Sequence, residues 1–147
     1  MLKFLQQLID LNSALVAKAR SAEIYQEALA LHEAKEYAKA LPLMKEAAAL
    51  GSLPAMSMLG SMYFLGRGVR ENGVEAERWL RQAVDGGFEG AISVLGMAYA
   101  TCSAGIRADI PLARQLLTQA IVKGDQQSAR MLEMMNKRRG MFRNLKK

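Results

Sequence analysis

The sequence predicts an all-α domain, a short array of helix pairs, and three observations carry that reading. First, residues 55–87 and 91–124 follow one plan: Ala91, Leu95-Gly96 and Tyr99 stand 36 positions after Ala55, Leu59-Gly60 and Tyr63. Past a one-residue insertion the offset becomes 37, setting Gly105-Ile106, Ala113, Ala120 and Gly124 beneath Gly68-Val69, Ala76, Ala83 and Gly87. A fixed period of this size is the signature of a helical-repeat array. Second, Ala, Leu, Glu, Lys, Arg, Gln and Met dominate and only 3 residues are proline, so strong helix formers prevail. Third, 147 residues suit a single domain, here residues 1–138 with a tail over 139–147.

Taken in order, residues 1–20 place Leu2, Leu5, Leu8, Ile9, Leu15 and Val16 at spacings of three and four, with Lys3, Gln6, Gln7 and Asp10 between them. This is an amphipathic helix with a wide apolar stripe. Arrays need atypical terminal elements, which predicts a cap helix over 1–20; a helix through which two copies dimerise is the alternative. Residues 22–51 form the first unit, because Ala40, Ala47 and Gly51 stand 36 before Ala76, Ala83 and Gly87. Its first helix, about 22–34, reaches the second through Lys35-Glu36 alone, and Pro42 predicts a bent or frayed first turn in that second helix.

The central unit, 53–87, begins with a helix from about Leu53 to Leu65 and leaves it through Gly66-Arg67-Gly68-Val69, whose glycines suit a tight helix exit. Its second helix starts near Gly73 and stops at Gly86-Gly87. The next unit, 90–124, repeats the plan with helices over about 90–101 and 109–123, the latter opened by Asp109 as N-cap and Pro111 in the first turn. In a last helix, 126–138, Ser128 and Leu132 take the Ala55 and Leu59 positions, while Glu133 and Asn136 replace the glycine and the tyrosine. The decay of the pattern predicts a C-terminal cap. Ala55, Gly60, Ala76 and Ala83 belong where helices cross closely, and Leu59, Tyr63, Trp79 and Leu80 fill the space between neighbours. Adding bulk at Gly60 would force apart such a crossing, at a cost of about 1–3 kcal/mol.

Chemistry is sparse. His32 is the single histidine, which leaves no two-histidine metal site and no ready Ser or Cys triad. It reads as a partly exposed surface residue. Cys102 cannot form an internal disulfide and reads as a small buried apolar residue rather than a thiol activated by Arg107. Gly66-Arg67-Gly68 lacks the lysine and hydroxyl ending of a phosphate loop and follows a helix. Glu71, Glu75 and Glu77 with Arg78 and Arg81 form a solvated face with local pairings. The methionines read as core filling, with a deformable binding surface as the sharper alternative. No catalytic residue, cofactor, metal or small-molecule substrate is expected.

The net charge of +6 is entirely local: residues 1–136 balance, and the excess is Lys137, Arg138, Arg139, Arg143, Lys146 and Lys147. Six cations with Met141, Phe142 and Leu145 could meet an acidic partner, a membrane surface or nucleic acid. Eleven residues without an aromatic platform form a poor nucleic-acid site. Absence of a signal-like start or an 18-residue apolar run points to a cytoplasmic protein.

The motif A-x-x-x-L-G-x-x-Y-x-x-G-x-G-V followed by A-x-x-W-L-x-x-A-x-x-x-G, as it stands in residues 55–87, resembles the Sel-like repeat, a relative of the tetratricopeptide repeat. Residues 91–124 match less closely, with Cys102 at the first loop glycine and Gln115-Leu116 at the Arg-Trp pair. Residues 22–51 are similar to a plain tetratricopeptide unit through Ala28, Tyr37, Ala40 and Ala47. The resemblance implies a right-handed α-solenoid of antiparallel helix pairs whose first helices line a concave protein-binding face. Such proteins are generally non-catalytic adaptors or regulators, and in bacteria some neutralise toxins or assist secretion assemblies. The implied partner-binding row is Tyr25, Leu29, His32 and Glu33, then Ser57, Ser61, Phe64 and Leu65, then Ser93, Met97, Ala100 and Thr101, then Arg130 and Met134, with Lys137 and Arg138 at its end. A row of this character suits an amphipathic helix or extended peptide.

Overall fold

The structure, a computed structural model, describes residues 1–101 and 103–144, the side chains of Ser103 and 139–144 excepted. Among them are seven α-helices and no strand: α1 (Leu2–Glu33), α2 (Tyr37–Ala49), α3 (Leu53–Leu65), α4 (Gly73–Asp85), α5 (Gly90–Thr101), α6 (Ile110–Val122) and α7 (Gln126–Asn144), with a 3-10 turn at Ser103–Gly105 between α5 and α6. Helices pair as α1 with α2, α3 with α4 and α5 with α6, and α7 closes against α6 and α5. The first helices α3, α5 and α7 also touch one another, giving a solenoid with these helices along one side.

Local chemistry explains where the helices begin. The side chains of Ser52, Asn72 and Asp109 accept hydrogen bonds from the backbone N–H of Ala55, Glu75 and Leu112 at 3.3, 3.2 and 2.9 Å, satisfying donors that the first helical turn leaves free. Asp125 does the same for α7, accepting from the backbone N–H of Ser128 at 3.1 Å. Pro42 lies inside α2.

The repeating small residues form the spine of the core. Ala40 and Ala76, Ala47 and Ala83, and Ala55 and Ala91 are fully buried, with Met44, Leu59, Met62, Leu80 and Leu117 filling the space between helices. Gly60 marks a tight crossing of α3 and α4: a Cβ there would lie 2.6 Å from Leu80 Cγ and 3.1 Å from the Ala76 carbonyl oxygen. Bulk at that position therefore pushes on α4 itself.

Neighbouring units are also joined through their loops. Gly68, with φ of 71°, rests on the first turn of α2, where a Cβ would come within 2.5 Å of the Tyr37 carbonyl oxygen. One unit later, the first residue of α4, Gly73, lies against the Ala104 carbonyl and the Ile106 side chain. Tyr37 and Gly73 are 36 apart, so each loop docks on the same place in the unit before it.

Two expectations change at the ends. The helix expected to cap the array over 1–20 is no separate element: α1 runs unbroken from Leu2 to Glu33, and residues 1–16 are exposed. Residues 1–41 contain no glycine or proline to interrupt a helix, so propensity carries α1 straight through Ser21 and Ala22. The expected end near Arg138 is likewise passed, and the backbone of 139–144, read as tail, continues α7. The expectation for Cys102 falls outside the described residues.

Candidate partner-binding face

The row read from the sequence divides into patches of different character. On α1, Tyr25, Leu29 and His32 are half-buried and Glu33 is exposed. Tyr25 lines an open groove of about 570 Å³ with Ala22, Leu50, Leu53, Pro54 and Phe88. The His32 ring lies 5.0 Å from that of Tyr37, tilted by 58°, and the Arg67 guanidinium stands 5.5 Å from the other ring, that of Tyr37. Burial, reinforced by Arg67 and opposed by Glu33, holds the His32 imidazole below its ordinary pKa, favouring the neutral ring.

On α3, Ser57 departs from the expectation of an accessible side chain: it is 7% exposed, and its carbonyl accepts a 3.1 Å hydrogen bond from the Ser61 hydroxyl one turn on. Phe64 is half-buried and Leu65 is 47% exposed. On α5, the Ser93 hydroxyl donates to the Gly90 carbonyl at 3.3 Å and that of Thr101 to the Met97 carbonyl at 3.0 Å, so both are partly spent on their own helix. Thr101 and Met134 meet with Ala100, Met131, Met135 and Arg138 around a hollow of about 220 Å³ between α5 and α7. Met134 is 55% exposed, and Arg130 and Lys137 are open to solvent. Lys137 Nζ lies 2.8 Å from Glu133 Oε1, a solvated pair of little energetic consequence. The side chains of Arg139, Arg143, Lys146 and Lys147 lie outside the described residues.

Behind this row, polar links that the sequence reading missed tie successive units together. The Tyr99 hydroxyl on α5 donates to Glu77 Oε1 on α4 at 2.6 Å and accepts from Arg81, while Arg81 Nε donates to the same Glu77 oxygen at 2.9 Å. Burial and then the Glu77 carboxylate push the Tyr99 hydroxyl up to about 12, and the Tyr99 hydrogen bond holds Glu77 below the usual carboxylate range. The equivalent tyrosine one unit earlier, Tyr63, has Lys45 Nζ 5.8 Å from its ring centroid. One unit later, Arg114 donates to Asn136 Oδ1 at 2.7 Å. Lys45 stands 36 before Arg81, and Arg114 and Asn136 stand 37 after Glu77 and Tyr99. One or other of two positions a helical turn apart, those of Glu77 and Arg81, thus reaches the tyrosine position of the next unit at each junction, a signal that lay in the repeat offset.

Among the described residues, no three His, Cys, Asp or Glu side chains gather to hold a metal, and no helix is long and apolar enough to cross a membrane. What the first helices present is a surface of half-buried apolar side chains, helix-bonded hydroxyls and terminal cations.

Comparison with known proteins agrees with this geometry. The family model described as the Sel1 repeat matches residues 53–88 and 91–125. A stretch of 63 residues is 43% identical to an uncharacterized protein of Neisseria meningitidis serogroup B, covering 40% of this chain and 14% of that protein. The chain thus spans a small part of that relative. Among solved structures, the fold is similar to a protective antigen present in uropathogenic Escherichia coli strains displaying an SLR fold, with a TM-score of 0.70 and 28% identity over 80% of this chain and 26% of that one. A Sel1 repeat protein from Oxalobacter formigenes gives a TM-score of 0.63 and 25% identity over 71% of this chain and 42% of that one. A cysteine-rich protein of Helicobacter pylori shares the fold, with a TM-score of 0.60, over 82% of this chain and 92% of its own, at 19% identity. Sel1-repeat proteins are generally protein-interaction modules and typically non-enzymatic scaffolds. Residues 53–88 and 91–125 are thus two Sel1 repeats, set on the helix pairs that their motif implies.

Proposed function

We propose that the protein is a non-catalytic, cytoplasmic binding module that takes an amphipathic helix or extended peptide of a partner protein along its first helices. The observation that carries this reading is the apolar surface left open there: Leu65 at the end of α3 and the methionine-lined hollow between α5 and α7, with Met134 exposed at its edge. Thioether side chains adapt to varied ligand shapes, and Arg138 beside the hollow offers one cation to a carboxylate on the ligand. Within this reading the finer role is that of an adaptor, a regulator or a toxin-neutralising immunity protein, supported by the Sel1 repeats alone. The open stripe on α1 gives the module a second surface, remote in character from the first.

The test is capture at native expression level. Leu65→Asp combined with Met134→Asp should abolish recovery of the partner while leaving the melting temperature unchanged, because neither residue is buried. Capture undiminished in that variant, or no specific protein recovered where a control adaptor keeps its ligand, counts against the proposal.

A further inference from the structure

The first 19 residues of α1 carry an apolar stripe that the rest of the chain does not cover. Phe4, Leu8, Leu11 and Leu15 run along one side of it, and Leu5, Ile9 and Val16 along the other. All of them are between 47 and 63% exposed. At about 100° per residue they occupy roughly half the circumference of the helix. The face on which α1 meets α2 further along, through Ser21, Ile24 and Ala28, points the opposite way. The solenoid therefore packs on the back of the stripe, and no continuation of the array on that side could reach it.

Together these side chains expose roughly 700–800 Å² of apolar surface, above the ~300–600 Å² of the largest patch on an ordinary monomer and close to the ~800 Å² each partner gives a specific interface. The polar side of the same segment is not that of a membrane-seeking helix, which is rich in Lys and Arg. It carries Gln6, Gln7 and Ser13, with Lys3 and Lys18 set against Asp10, whose Oδ1 accepts from Gln6 Nε2 at 3.0 Å, and with Arg20 paired to Glu46 of α2 at 3.2 Å. Asn12 lies near the middle of the stripe, where acyl chains would leave its amide without partners. A two-fold axis at Asn12 instead brings two Asn12 amides together, the use to which a lone asparagine is put in helix–helix seams.

We propose that this segment is a dimerisation arm, pairing antiparallel with the same segment of a second copy about a two-fold axis at Asn12. In that register Leu8 faces Val16 and Ile9 faces Leu15, so large apolar residues meet along the seam. The antiparallel sense follows from the groove at the root of the arm. A perpendicular two-fold keeps Phe4 of one copy on the side where the other copy's groove opens, lined by Ala22, Tyr25, Leu50, Pro54 and Phe88. The tip of each arm then covers apolar surface at the base of the other. A parallel pair would carry Phe4 to the far end, away from that groove.

Sedimentation equilibrium of the full chain tests this, and the result is independent of whether the inner row binds a partner. The expected outcome is a dimer in the micromolar range, with self-association weakened at least about tenfold by Leu8→Glu with Leu15→Glu. Helical content and melting of the diluted monomer should be unchanged in that variant. In a Cys102→Ser background, Asn12→Cys should cross-link under mild oxidation and Phe4→Cys should not, because antiparallel arms hold the two Phe4 positions roughly 24 Å apart. A chain still monomeric at about 100 μM, or a dimer indifferent to the two glutamates, overturns the proposal. Cross-linking at Phe4 in place of Asn12 overturns the antiparallel pairing. Arm-dependent binding of a monomer to phosphatidylserine–phosphatidylcholine vesicles would make the membrane its occupant and overturn the proposal as well.

Discussion

The two halves of α1 are one helix put to opposite uses. In its second half Ser21 and Ala28 turn inward and are buried, and the Ser21 hydroxyl donates to the Ala47 carbonyl of α2 at 3.1 Å. In its first half the inward direction is occupied by Lys3, Asp10 and Ala17, while leucines, Phe4 and Ile9 look out. Side chains with the same apolar character are fully buried in α3 to α6, where Leu59, Leu80 and Leu117 each have a neighbouring unit over them. Burial in this molecule is decided by whether a neighbour arrives, because each helix pair leaves an apolar face that only the next pair can cover.

Three measurements would break or sharpen that contrast. Leu80→Ala, at a fully buried junction, should cost about 2–5 kcal/mol in denaturant or thermal unfolding, since the transfer energy is lost and a cavity remains. An intermediate effect is expected of Tyr99→Phe, which removes the hydroxyl bridging Glu77 and Arg81 and should cost about 0.5–1.5 kcal/mol. The same bridge gives a pH signature with a definite sign. Glu77 titrates below its ordinary 4.5 in the folded chain, so its contribution is complete above that pH and lost as the pH falls through the lowered value. The Tyr99 hydroxyl is raised from 10.0 to about 12, so its contribution is complete below pH 10 and lost as the pH rises toward 12. Tyr99→Phe should flatten both limbs of a stability-against-pH curve. The smallest effect belongs to the arm: Leu11→Lys should change the unfolding free energy of the dilute monomer by less than about 0.5 kcal/mol. A loss there as large as at Leu80 would mean that α1 is covered by the array and that the contrast between its halves is wrong.

Much of the fold could be read from residues alone, because the repeat offset is set by packing. Helices expected over 53–65 and 90–101 occur with those limits, and the alanines aligned by the offset are the buried ones. The unbroken α1 was harder to read: a repeat motif starts where its consensus starts, near Ala22, and says nothing about a helix that simply continues upstream. Glu77 and Arg81 do form the local pair expected four residues apart, yet the pair also holds Tyr99 on the next helix. Spacing along one helix cannot show a bond between two. Ser57 is hidden for a related reason, since a row carried over from the resemblance takes no account of how closely the adjacent helices approach in this chain.

The docking of Gly68 on Tyr37, and of Gly73 against Ala104 and Ile106, has a consequence for how such a chain can lengthen. Each unit brings the loop that fastens it to its predecessor and offers, at the start of its own second helix, the seat for its successor. Duplicating a stretch such as 53–88 in tandem would therefore supply both halves of every new joint at once. Growth by copying requires no remodelling of the units already present, and the number of units is free to drift between relatives while each joint stays the same.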